Sequence, residues 1–357
     1  MLLDMTVARK TLICLSATPW YHVVNRCVRR AYLCGTDQAS GQSYEHRRAW
    51  IADRIKKLAA VFAIDVAAYA VMSNHYHLVL RVDVQRAQAW SGDEVLSRWT
   101  KLFQGTAVVR RHLQSQDECD PGTCPELISW VALYRQRLTD ISWFMRVLNE
   151  SVARKANAED GVGGRFWEGR FKSQALLDKK AILTAMVYVD LNPVRARMAT
   201  TPEDSEYTSI SERAALLKND QHVSCQPAVP GNNQKCRLPV RHESCFARLP
   251  RARLMPFDET CSIPAAIPFA MHDYFRLVET AGRQLKAGKR GRITVDAPPL
   301  LVRLGIDYER FLLCATTMMK MFATAVGTAA SLDNFRKRRN VRYLRGIGSA
   351  RLLFGLG

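Results

Sequence analysis

Near the start of the chain, three short segments rich in β-branched and aromatic residues predict strands. They are Trp20–Arg26, Val66–Met72 and His75–Val82, with the turn-forming Asn74 between the last two. Between the first two strands, apolar residues recur at the spacing of one helix face, which predicts a helix from Glu45 to Phe62. The opening of the chain therefore has the order strand, helix, strand, strand.

A second set of patterns follows further along. Apolar spacing predicts a helix over Ile141–Lys155, and Arg165–Leu177 then has the character of a strand or ribbon. Asp178 is placed to cap a helix that runs from Lys179 to about Leu191. The resulting order predicts an α+β fold, namely a ferredoxin-like split βαβ antiparallel sheet with helices on one face.

Changes in composition divide the rest of the chain. Residues 104–139 look irregular and resemble an insertion, and residues 219–268 are rich in Pro, Asn, Gln and Cys, as a linker would be. Helical patterns return at Met271, and the apolar stretch Phe311–Ala330 contains Lys320 and Gly327, which favours a helix of a folded domain over a membrane span. We predict a domain at 1–218, a linker or irregular connection at 219–268 and a basic, mainly helical C-terminal extension at 269–357.

Charge narrows the range of partners. The chain of 357 residues has 52 Lys and Arg against 33 Asp and Glu, a net charge of +19. This excess favours nucleic acid as a partner over a basic but merely solvated surface. The ten cysteines lack a tight, even spacing, and the apolar segment Thr11–Ala17 is too short for a convincing signal peptide. We therefore expect a cytoplasmic, nucleoid-associated protein with reduced thiols and no membrane partner.

The third strand holds the first candidate chemistry. His75 and His77 are two residues apart, so a strand directs both side chains to the same face. Two neighbouring imidazoles form a ready pair of metal ligands. Taken alone, the pair is equally well explained as one buried and one surface histidine.

A second constellation lies on the helix that Asp178 is expected to cap. Tyr188 and Asn192 are four residues apart, which places them on one helix face, and Arg195 falls near that face. Taken alone, this is most simply a buried tyrosine beside a helix-ending Asn-Pro.

The two constellations together resemble the single-tyrosine HUH transposases, and within them the REP-associated tyrosine transposases. The resemblance covers roughly residues 19–210. Its motifs are Tyr21-His22-Val23-Val24-Asn25-Arg26, Met72-Ser73-Asn74-His75-Tyr76-His77, Phe166-Trp167-Glu168-Gly169-Arg170-Phe171 and Tyr188-Val189-Asp190-Leu191-Asn192-Pro193. Ser73 stands where the family usually has proline, the 104–139 stretch is long for the family, and the chain after about residue 220 matches nothing in it.

The resemblance implies a mechanism. Divalent Mg²⁺ or Mn²⁺ would be held by His75, His77 and Asn192, and this mixed donor set favours Mn²⁺. Tyr188 would attack a DNA phosphate to give a 5′-phosphotyrosine and a free 3′-hydroxyl. The substrate would be single-stranded or hairpin DNA, and the chain could act as a homodimer or a monomer.

Cations and aromatic side chains are the usual equipment for binding single-stranded DNA. The candidates are Arg26, Arg165, Trp167, Arg170, Lys172 and Arg195. Trp167 is equally well explained as a core residue.

Two other functions remain open at this stage. A non-catalytic or domesticated DNA-binding protein needs only the positive charge. A second catalytic tyrosine would favour a replication initiator or relaxase, whereas Tyr188 is the only tyrosine in its predicted helix. A zinc site built from Cys225, Cys236, His242 and Cys245 would fit no standard finger spacing.

Overall fold

A five-stranded sheet forms the centre of the fold, in the order β2-β3-β1-β4-β5. The structure is a computed structural model that describes residues 12–28, 33–36, 41–114, 122, 124–220, 245–287 and 298–355. The strands are β1 (Trp20–Arg26), β2 (Ile64–Val71), β3 (His75–Val82), β4 (Lys172–Leu176) and β5 (Ala325–Val326).

Helices make up most of the remaining described chain. Those of the predicted N-terminal domain are α1 (His46–Val61), α2 (Val84–Ala89), α3 (Gly92–Thr100), α4 (Ala107–Leu113), α5 (Pro125–Leu138), α6 (Ile141–Glu159), α7 (Lys179–Asp190), α8 (Asn192–Arg195) and α9 (Ser209–Asp220). Those that follow are α10 (Met271–Ala287), α11 (Pro299–Arg303), α12 (Tyr308–Met321), α13 (Ala329–Arg338) and α14 (Ile347–Phe354).

The first four strands confirm the predicted α+β sheet. β1 lies between β3 and β4 and is antiparallel to both, and β2 is antiparallel to β3, which is the strand order of the ferredoxin-like fold. β5 extends this sheet in a way that the sequence did not indicate. It pairs in parallel with β4, Ala175 with Ala325 and Leu176 with Val326, so the C-terminal extension contributes a strand to the sheet.

The helices cover both faces of the sheet, which corrects the prediction of one face. Tyr76 and His77 are adjacent in β3 and therefore face opposite ways. The Tyr76 hydroxyl bonds to Asn149 in α6, on the same side as α1, whereas the His77 ring meets Tyr188 in α7. Helix α7 is apolar on nearly all sides, and its residues from Ala181 to Asp190 are buried. The reason is that α7 lies between the sheet and α12.

Two segments expected to be irregular are instead built into the fold. The 104–139 stretch contains α4 and α5, and α5 buries Leu127, Val131, Tyr134 and Leu138, which recur at helical spacing. Residues 245–268 are not a free linker, because the Met255 amide donates to the Val66 carbonyl at 3.0 Å. Residues 219 and 220 belong to the end of α9, and residues 221–244, including Cys225, Cys236 and His242, lie outside the described residues.

The C-terminal extension is joined to α7 at its first turn. Asp178 caps α7 as predicted, since its Oδ1 accepts from the Ala181 amide at 2.9 Å. Its Oδ2 accepts from the Thr328 amide at 2.7 Å, at the start of α13. The helix predicted through Phe311–Ala330 in fact ends at Met321, where the chain turns to form β5. Among the described helices, none has the length and apolar character needed to cross a bilayer.

Candidate active site

One face of the sheet carries three histidines in adjoining positions. His77 in β3 pairs with Val24 and His22 in β1 pairs with Val79, so the two side chains are diagonal neighbours on one face. The His22 Nε2 and His77 Nδ1 atoms are 2.9 Å apart. The rings of His75 and His77 share this face, as alternation predicts, with centroids 4.8 Å apart.

Helix α7 brings Tyr188 onto the same face within a single chain. The Tyr188 ring lies edge-on to His77, with centroids 5.5 Å apart, and its distance to His22 is 5.8 Å. The guanidinium carbon of Arg195 lies 4.3 Å from the centre of the Tyr188 ring. The predicted nucleophile and both predicted histidine ligands therefore meet, although they are more than a hundred residues apart in sequence.

Burial keeps the histidines neutral. Burial, together with the nearby Arg26 and Arg195, lowers the pKa of His75 to about 4. The pKa of His77 falls well below its ordinary value, first through burial and then through His22 and the other neighbouring cationic or ionisable groups. Because both pKa values are lowered, His75 and His77 are neutral at neutral pH. A neutral imidazole is the form that binds a metal ion.

A cavity of about 520 Å³ opens beside these residues. His75, His77 and Tyr188 line it together with cationic side chains and one carboxylate, which are Arg26, Arg170, Lys172 and Glu168. Because cations outnumber carboxylates there, the cavity suits an anionic group such as a phosphate.

A second cavity, of about 470 Å³, adjoins the first. The two share Asn25, Gly169 and Arg170 in their walls. The second adds aromatic and amide groups, with Trp143 and Asn149 among them. The two cavities therefore meet at Asn25, Gly169 and Arg170, and we refer to them together as the recess.

The predicted DNA-binding residues occupy different positions. Arg26, Arg170 and Lys172 line the first cavity. Trp167 is buried, packs edge-on against Tyr76 and donates its indole N–H to the Asn149 carbonyl at 2.8 Å, although it also forms part of the second cavity wall. Arg165 is exposed and is in neither wall.

Asn192 and Arg195 form a pair beside the tyrosine. Arg195 donates to the Asn192 Oδ1 at 2.8 Å and to the Thr316 carbonyl in α12 at 2.8 Å. Arg195 thus braces Tyr188 and Asn192 against the C-terminal extension. Neither Asn192 nor Arg195 is among the residues that line the two cavities.

The histidine pair fits a divalent metal ion. The His77 Nε2 atom is buried and has no hydrogen-bond partner among the described residues, so a metal ion would satisfy it. The third predicted ligand is engaged elsewhere, since the Asn192 Oδ1 accepts from Arg195. In the described part of the chain, no three His, Cys, Asp or Glu side chains are grouped to hold a metal. His75 and His77 are therefore two suitable donors, whereas Asn192 lies outside the wall of the cavity that both histidines line.

Two residues of this site were not singled out from the sequence. His22 bonds to His77, and Gln174 in β4 bonds to His22, with Oε1 and Nδ1 3.0 Å apart. The signal for His22 was available, because its strand was predicted correctly and strand alternation places His22 on the same face as Val24 and Arg26. Gln174 had no such signal, because its contact depends on the pairing of β1 with β4.

Comparison with known proteins gives little further information. No protein family matches the chain, and no curated protein matches it. A solved structure of a REP-associated tyrosine transposase bound to a REP hairpin is similar over 61% of this chain and 92% of that one, with 13% identity and a TM-score of 0.32. A likeness at this distance assigns neither a family nor an activity to the chain.

Proposed function

We propose that this protein is a metal-dependent DNA transposase that cleaves and rejoins single-stranded DNA through a 5′-phosphotyrosine, at hairpin or palindromic repeats. The observation that supports the proposal is the position of Tyr188. Its ring packs against His77, under Arg195, at the wall of a cavity lined by three cations. A tyrosine placed only for packing would not need neutral histidines and phosphate-binding cations around it.

The side chains of the cavity have distinct roles in this reaction. Arg26, Arg170 and Lys172 bind the scissile phosphate and the phosphates beside it. The Tyr188 oxygen forms a bond to phosphorus and gives up its proton, while the bond from phosphorus to the 3′ oxygen breaks and that oxygen takes up a proton. The 5′ end is then held on Tyr188, and attack by another 3′-hydroxyl rejoins the strand without an external energy source.

His75 and His77 would hold the metal ion through neutral nitrogen atoms. When bound, Mg²⁺ or Mn²⁺ supplies Lewis-acid polarisation of the phosphate oxygens. Arg195 keeps the tyrosine ring in place through its contact with the ring face and its anchor on Thr316. The chain itself therefore orients both the nucleophile and the phosphate.

The second cavity supports a path for the DNA strand. It shares Asn25 and Arg170 with the phosphate-binding cavity and has Trp143 of α6 in its own wall. Arg146 lies with its guanidinium carbon 4.9 Å from the centre of the Trp143 ring, which forms a surface of the kind on which bases stack. We place the nucleotides that flank the scissile phosphate in this recess.

Trapping of the covalent adduct tests the proposal. A pool of hairpin oligonucleotides with randomised flanks and a label at the 3′ end is incubated with the protein and Mn²⁺. The expected result is a labelled protein band under denaturing conditions, which is lost in Tyr188→Phe. Tyr343→Phe is the matched control, because Tyr343 is 79% exposed and its loss should leave the band unchanged.

Two outcomes would contradict the transposase. An adduct that persists in Tyr188→Phe would assign the nucleophile elsewhere. Salt-dependent DNA binding without any adduct in Mn²⁺ or Mg²⁺ would instead favour the non-catalytic DNA-binding protein, which needs only the net charge of +19.

A further inference from the structure

A chain of hydrogen bonds connects the C-terminal extension to His77. The Gln174 Nε2 donates to the carbonyls of Phe322 at 3.1 Å and Ala323 at 3.0 Å. The Gln174 Oε1 lies 3.0 Å from His22 Nδ1, and His22 Nε2 lies 2.9 Å from His77 Nδ1. Gln174, His22 and His77 are each at most 2% exposed, so water does not compete for these bonds.

The chemistry of each link fixes where the protons lie. Carbonyl oxygens only accept, so the nitrogen of the Gln174 amide must face Phe322 and Ala323. Its oxygen is then the acceptor for an Nδ1–H of His22. A neutral His22 carries no proton on Nε2, so this atom accepts from an Nδ1–H of His77. The lone pair of His77 is left on Nε2.

The ring geometry agrees with this assignment. The His22 and His77 rings are within 9° of parallel and their centroids are 5.2 Å apart. With the two nitrogen atoms at 2.9 Å, this separation requires the rings to lie edge to edge in nearly one plane. The hydrogen bond therefore runs along the lone pair of His22, which is the favoured direction.

We infer that Gln174 and His22 are positioning residues that hold His77 as the Nδ1–H tautomer and thereby present its Nε2 lone pair as a ligand. The backbone carbonyls of Phe322 and Ala323 determine which atom donates in each hydrogen bond from Gln174 to His77. The C-terminal extension is thus a working part of the site. The nature of the ligand rests on the proposed function, whereas the tautomer of His77 does not.

Nitrogen NMR of the unmodified protein tests the tautomer without reference to activity. The protein is labelled with ¹⁵N in histidine only, and the His77 signals are assigned by their loss in His77→Gln. We expect His77 to show a protonated Nδ1 and an unprotonated Nε2. A protonated Nε2, or an equal mixture of both forms, would overturn the inference.

A matched pair of variants tests the role of His22. His22→Leu removes the acceptor for the His77 Nδ1–H, so the tautomer preference should be lost and Mn²⁺ affinity should fall about 10- to 100-fold. His22→Gln retains an acceptor oxygen and should restore most of the affinity. The readout is electron paramagnetic resonance of free Mn²⁺ during a titration, with circular dichroism to confirm folding.

The control and the counter-result are defined in the same titration. His272→Leu changes a histidine whose side chain is 84% exposed, and it should leave the affinity unchanged. Equal Mn²⁺ affinity in His22→Leu and the unmodified protein would overturn the role of His22. If Tyr188 forms no adduct but His77 is held as the Nδ1–H tautomer, the proposed reaction fails and the positioning inference stands.

Discussion

The two faces of the central sheet use the same strands for different purposes. Towards α1 and α6 the sheet side is closed by apolar packing, where Phe62 meets Phe144 edge-on at 5.5 Å and Tyr76 donates its hydroxyl to Asn149. Towards α7 the sheet presents His22, His77 and Gln174 in one row. Alternation along each strand lets a stable core and a polar site lie one residue apart.

The hydrogen bonding of Tyr76 and His77, which are adjacent in β3 but lie on opposite faces, also differs. On the α6 face, the Tyr76 hydroxyl finds its partner within the protein. On the α7 face, the hydrogen-bond chain ends at the buried His77 Nε2, which has no partner among the described residues. A buried, unpaired polar atom is costly, so a ligand bound at the His77 Nε2 would stabilise the structure there.

The largest expected effect separates the faces by activity. If His77 is a metal donor as proposed, His77→Ala should lower the rate of adduct formation about a thousand-fold, equivalent to roughly 4 kcal/mol. Tyr76→Phe, one residue away on the other face, should leave that rate within about twofold and cost only about 1 kcal/mol of stability. Single-turnover adduct formation and urea denaturation measure the two effects, and similar rates in both variants would remove the distinction between faces.

Phe144→Ala tests the core face directly. The side chain is fully buried against Phe62, so its loss should lower the free energy of unfolding by about 3–5 kcal/mol. Urea denaturation gives the value. The Mn²⁺ affinity of the folded fraction should be unchanged, and a fall as large as that in His22→Leu would show that the two faces are not independent.

Acid should destabilise the metal-free protein through the α7 face. Burial lowers the pKa of His22 and of His75 to about 4, whereas histidines in an unfolded chain titrate near 6.5. Between these values the unfolded chain binds more protons than the folded chain. The free energy of unfolding is therefore highest above pH 6.5 and falls as the pH decreases towards 4. The slope is at most about 1.4 kcal/mol per pH unit for each histidine. Urea denaturation across this range should show a shallower slope in His22→Gln, and an equal slope would contradict the assignment.

Two glycines near the start of α14 test whether the packing around Phe322 affects Gln174 and the histidines. A Cβ at Gly346 would lie 2.6 Å from the Phe322 ring and would need a φ of +120°. Gly346→Ala should therefore cost about 1–3 kcal/mol and weaken the hold on Gln174. Gly348→Ala meets nothing within 4 Å and should be neutral or slightly stabilising. Urea denaturation and Mn²⁺ titration of both variants decide the point, and equal behaviour would contradict it.

The smallest effects concern the DNA. Arg170→Ala and Lys172→Ala should each weaken binding of single-stranded DNA several-fold and reduce the salt slope by about 0.7. Arg165→Ala should change neither quantity, because Arg165 lines neither cavity. Fluorescence anisotropy at several salt concentrations measures these values. If Arg165→Ala reduced the salt slope as much as Arg170→Ala, the DNA path would lie outside the recess.

Local patterns predicted the elements that carry the site. β1 and β3 begin and end where alternation placed them, α7 begins after its predicted cap at Asp178, and β3 directs His75 and His77 to one face. These features depend on residues near one another in sequence. The bond from Arg195 to Asn192 was not foreseeable, because it depends on Arg195 being anchored to Thr316 in α12.

Long-range pairing explains the parts that sequence patterns missed. β5 is two residues long and has no alternation to detect, and it exists because Ala325 and Val326 pair with β4. The second helical layer followed from the apolar surface of α7, whose all-round burial could have indicated helices on both sides. The helix α5 was missed because residues 104–139 were interpreted as irregular throughout, although Pro125 is favourable in a first helical turn.

The distance along the chain from Gln174 to its carbonyl partners has a consequence for biosynthesis. Phe322 and Ala323 come 148 and 149 residues later, so a ribosome makes both histidines and Tyr188 long before the segment that orders them. A chain synthesised only as far as Tyr188 has Gln174, His22 and His77 but lacks the carbonyls to which Gln174 donates. The row of hydrogen bonds from Gln174 through His22 to His77 can therefore form only after Phe322 and Ala323 have been synthesised.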